Sequence, residues 1–99
     1  MNDSQTQIIP GLSISPTGQA SVDSSIADLL FDLAVKLEET TDLPVDVQHV
    51  VAALVLLARR AQLDSQRPIS SSDPGLLTAL AVQIKTVFAL YGGNVGADD

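Results

Sequence analysis

Between Val50 and Ala58 no residue carries a polar side chain. At a helix's 100° per residue such a run turns apolar groups in every direction, so the element it forms must be covered on several sides. Val50, Val51 and Val55 are β-branched and also suit a buried strand. Alanines at 52, 53 and 58, leucines at 54, 56 and 57, and an apolar pattern reaching from Val45 to Leu63 exceed the roughly 4–8 residues of a strand. The pattern predicts a helix over 44–63. Pro44 fits its first turn, Asp42 or Asp46 its cap, and Arg59 and Arg60 the negative end of its macrodipole. On this helix Val47, Val50, Val51, Leu54, Leu57, Ala58 and Ala61 share one face. Gln48, His49, Arg59 and Arg60 lie opposite, at the two ends, and Ala52, Val55 and Leu56 form a second apolar patch between them.

The same reasoning places two further helices. Ser21, Asp23, Ser24 and Ser25 are capping residues, and after them Val22, Ile26, Leu29, Leu30, Leu33 and Leu37 recur on one helical face over 22–39. Asp28, Asp32, Lys36 and Glu39 lie opposite, with Asp32 and Lys36 spaced as an i,i+4 pair. Ala27, Phe31, Ala34 and Val35 carry the apolar surface beyond what one core contact needs. The short Thr40–Leu43 connection makes the first two helices antiparallel neighbours. Asp73-Pro74 is a cap followed by proline at the first helical position, and Leu77, Leu80, Ala81, Ile84, Phe88 and Tyr91 continue a helix over 74–91 that Gly92-Gly93 ends.

The ends have no helical period. Residues 1–20 mix Ser, Thr, Gln, Gly and Pro, with breakers at Pro10-Gly11 and Pro16-Thr17-Gly18, and read as a flexible N-terminal arm. Its Ile8, Ile9, Leu12 and Ile14 are the exception, a set that suits docking on a partner. Residues 93–99 read as a mobile acidic tail. The expected fold is therefore all-α: an arm at 1–20, a three-helix bundle at 21–92 and the tail.

Composition narrows the partners. Aromatic residues are 3% of the chain against 45% hydrophobic, so the core is aliphatic. Twelve acidic and five basic residues give a net charge of -7, which repels phosphate backbones and anionic bilayers, so neither nucleic acid nor membrane is an expected partner. Without cysteine there is no disulfide, thiolate nucleophile or cysteine zinc site. No basic, then apolar, leader opens the chain, and the apolar run is too short for the roughly 20 residues of a bilayer span, so a soluble cytoplasmic protein is the expectation.

Candidate chemistry is thin. His49 is the only histidine, with Asp42 and Asp46 near in sequence and Ser65 or Thr41 as conceivable neighbours, and it reads as a solvent-facing or interface residue rather than a catalytic one. Asp28 and Asp32 share a face but have no Glu-x-x-His to complete a metal site. Gly92-Gly93-Asn94-Val95-Gly96 follows a helix and leads to acids, whereas a phosphate loop precedes one. No catalytic residue, metal or cofactor is expected. What is left over is apolar surface, and Phe31, Val35, Ala52, Val55 and Leu56 are the expected interface of a non-enzymatic protein that pairs with itself as a homodimer or with another protein as an adaptor or regulatory subunit. The alternative is a carrier that holds a small apolar ligand in a helical cavity.

Overall fold

The computed structural model describes residues 5–64 and 66–91. Three helices form where the apolar periodicity places them: α1 (Ser24–Thr41), α2 (Val47–Arg59) and α3 (Pro74–Tyr91). All three pack on one another. The Gly92-Gly93 stop, the acidic tail, Ser65 and the side chain of Tyr91 lie outside the described residues.

The chain is α+β and not all-α, because the expected flexible arm is a sheet whose last strand also takes Ser21 and Val22, so the first helix begins at Ser24 and not at 22. Strands β1 (Thr6–Ile9), β2 (Leu12–Ile14) and β3 (Ala20–Val22) form an antiparallel meander in the order β1-β2-β3. The breakers turn out to be its turns. Pro10-Gly11 joins β1 to β2, with Gly11 at φ +94, a conformation open to glycine and strained for other residues. A Cβ at Gly11 would also come within 3.0 Å of the Ile26 side chain, so the turn is pressed against α1. The second turn is closed by the Ser15 N–H donating to Gln19 O and the Gly18 N–H donating to Ser15 O, both at 2.9 Å.

The register explains why this arm is core. Thr6 pairs with Ile14, Gln7 with Ser13 and Ile9 with Leu12, and the ladder shifts between Gln7 and Ile9. That irregularity breaks the strict in-out alternation of a strand and lets both Ile8 and Ile9 turn inward. Ile8, Ile9 and Leu12 join Leu30, Leu54 and Leu80 in a single buried cluster, so the sheet covers a side of the helices that three helices alone leave bare.

Helix ends differ from expectation by a few residues, each for a local reason. The Thr40 and Thr41 hydroxyls donate to the carbonyls of Lys36 and Leu37, and Asp42 takes the left-handed conformation at φ 61, so α1 runs to Thr41 and not to 39. Pro44 and Val45 precede α2 instead of opening it: Asp46 is the N-cap, and Val45 and Val50, the positions a hydrophobic staple joins, are both buried. At the other end the Gln62 N–H donates to Leu57 O at 2.9 Å and the Ala61 N–H to Ala58 O at 3.1 Å, a Schellman closure with Ala61 left-handed at φ 57. The helix therefore stops at Arg59 and not at 63. The start of α3 is as expected, with Asp73 Oδ1 accepting from the Gly75 N–H at 3.0 Å. No helix among the described residues is long and apolar enough to cross a membrane.

Candidate functional site

Helix α1 buries Leu30, Leu33, Ala34 and Leu37. The residues next to Leu30 and Ala34 are turned 100° away from that face, which leaves Phe31 64% exposed and Val35 41% exposed. Together with Ala34, Glu38, Val45, Asp46, Val47 and Gln48 they line a cleft of about 520 Å³ between α1 and the start of α2.

The second apolar patch on α2 is treated unevenly by the fold. Val55 packs against the core cluster and, with Ala58 and Arg59, borders a cleft of about 510 Å³ whose other wall is Thr6, Ile8, Ile14, Ser15 and Pro16. The N-terminal sheet thus covers part of the surface expected to pair with a second chain. Ala52 and Leu56 are half-buried and stand outside the group of side chains packed on the core. Gln48, Ala52, Val55 and Arg59 follow one another at three- and four-residue spacing, so they make one outward strip that runs from the first cleft to the second.

Charge is divided along that strip. Glu38 and Asp46 line the cleft at its first end, Arg59 lines the cleft at its other end, and Arg60 follows as the helix C-cap. The one ion pair among the described residues is Lys36 with Asp32, at 3.7 Å, and Lys36 also donates to the Ser71 carbonyl at 3.1 Å. Lys36 therefore ties α1 to the loop before α3. Among the described residues no three histidine, aspartate or glutamate side chains converge as metal ligands.

His49 is not the solvent-facing or interface residue expected from the sequence but a buried one. It is the third residue of α2, its Nδ1 accepts the Asp46 N–H at 2.8 Å, and its ring lies 4.6 Å from that of Phe88 on α3. Only 3% of it is exposed. A glutamate or glutamine usually fills this position of a capping box, so histidine here gave no sequence signal.

Sequence reasoning also missed the outer side of α3, where Val82 is 54% and Leu90 68% exposed. The signal was present, since Lys85 is the only charged residue in the 18 of this helix. Gln83 on the same helix is buried, and its Oε1 has no hydrogen-bond partner among the described residues.

The chain matches no protein-family model, no curated protein and no solved structure. What the surface offers chemically is apolar contact bounded by opposite charges.

Proposed function

We propose that this is a non-enzymatic cytoplasmic protein whose role is association, first with a second copy of itself and, in that form, as an adaptor or regulatory subunit. The observation that carries the reading is Phe31: one of three aromatic residues in the chain, it is left 64% exposed beside Val35 and above an apolar cleft. Aromatic side chains are enriched in interfaces because they bury much area at little conformational cost, and leaving one in water without a partner forgoes that gain. Ala52 and Leu56 extend the same surface along α2, and Val55 lies where that surface meets the N-terminal sheet.

Native mass spectrometry of the purified protein tests the reading. Association predicts a species at twice the 10.3 kDa chain mass. A chain-mass species retaining a small apolar molecule would favour a carrier instead, and a bare monomer at high concentration would refute self-association.

A further inference from the structure

An acidic chain that pairs with itself must overcome its own charge, and with a net charge of -7 two copies approach only where bases meet acids. The bases available are few. Of the five, Lys36 is engaged with Asp32 and the Ser71 carbonyl, Arg67 lies in the loop before α3 and Lys85 stands alone as a charge on α3, while Arg59 and Arg60 lie together at the end of α2 and take part in no ion pair among the described residues. At the start of the same helix Glu38 and Asp46 rim the Phe31 cleft. Ala52 lies between, six residues after Asp46 and seven before Arg59, half-buried on the outward strip. A parallel pairing along this strip would set arginine against arginine and carboxylate against carboxylate.

Resting on the self-association reading above, we propose that two copies pair antiparallel along α2 about a two-fold axis at Ala52. A two-fold interface joins a surface to itself in reverse, so Arg59 of each copy comes to the Glu38 and Asp46 end of the other. Alanine at the crossing point lets the helix axes approach to the near end of the usual 8–10 Å. Phe31 and Val35 of each copy then close over the Arg59 end of its partner. The outer face of α3, with Val82 and Leu90 exposed, has no opposite charges arranged to match in this way and is not the surface chosen.

The absence of cysteine makes the geometry directly testable, because each introduced thiol is unique. A disulfide needs Cα atoms within about 7 Å. Under mild oxidation Ala52→Cys is expected to form a covalent dimer, whereas Gln48→Cys, about 12 Å from its own copy along the axis at 1.5 Å per residue, is not. Gln48→Cys mixed with Leu56→Cys should cross-link, since these positions lie opposite. As an arm that leaves the crossing point untouched, Arg59→Glu and Glu38→Arg should each weaken the dimer about tenfold, two symmetric pairs being lost, and the double variant should recover it. Should the wild type be dimeric while Gln48→Cys cross-links to itself, or Ala52→Cys does not cross-link, or the charge swap fails to recover, this geometry is wrong and association stands. A monomeric wild type removes both.

Discussion

Nδ1 of His49 accepts the backbone N–H of Asp46 at 2.8 Å while its ring packs against Phe88, so the one histidine ties the start of α2 to α3. Capping and burial then act through a single side chain. His49→Ala should lower stability by about 2 kcal/mol, the sum of a lost cap and a small cavity. His49→Gln, which keeps an acceptor at the third position, should lose less. Urea unfolding of the two variants checks the order, and equal losses would mean that the bond to Asp46 contributes nothing.

The N-terminal sheet should behave as core. Leu12 is fully buried in the cluster that includes Leu54 and Leu80, so Leu12→Ala is expected to cost about 3 kcal/mol. A flexible arm would give a variant indistinguishable from wild type in urea melts.

Ala61 holds the left-handed position that closes α2. A Cβ there is strained, and glycine relieves it at some cost in unfolded-chain entropy, so Ala61→Gly should raise stability by about 1 kcal/mol. Thermal or urea unfolding that shows a loss instead would place the strain elsewhere.

Gln83 presents a buried carbonyl oxygen with no partner among the described residues. Replacing the amide by an apolar chain of similar length removes that desolvation penalty, so Gln83→Met should gain about 1 kcal/mol in urea unfolding. A clear destabilisation would reveal that the oxygen is bonded after all.

The helices were legible because their signals are local and redundant. Asp73-Pro74 marks the start of α3 to the residue, and the apolar run from Val50 to Ala58 admits no other long element. The sheet was not, since its strands are three or four residues long and the shift between Gln7 and Ile9 puts two successive isoleucines inside, erasing the period of two by which a strand is recognised. The end of α2 was hidden for a related reason: an alanine, not a glycine, takes the left-handed turn. Of the surface residues, Phe31 and Val35 stand exposed as their helical angle implies, while Val55 is met by a sheet that the apolar pattern did not foretell.

Phe31→Glu in sedimentation equilibrium tests the association account most directly. Leu56 and Val55 are half-buried, so a charge there disturbs the fold as well as any interface, whereas Phe31 is mostly in water in the single chain and its replacement should change folding stability by no more than about 0.5 kcal/mol. The account predicts a dimeric wild type and a variant whose dimer is weakened about tenfold or more, with helical circular dichroism and the urea midpoint unchanged. A wild type that stays monomeric at high micromolar concentration, or a Phe31→Glu variant that dimerises as well as the wild type, would contradict it.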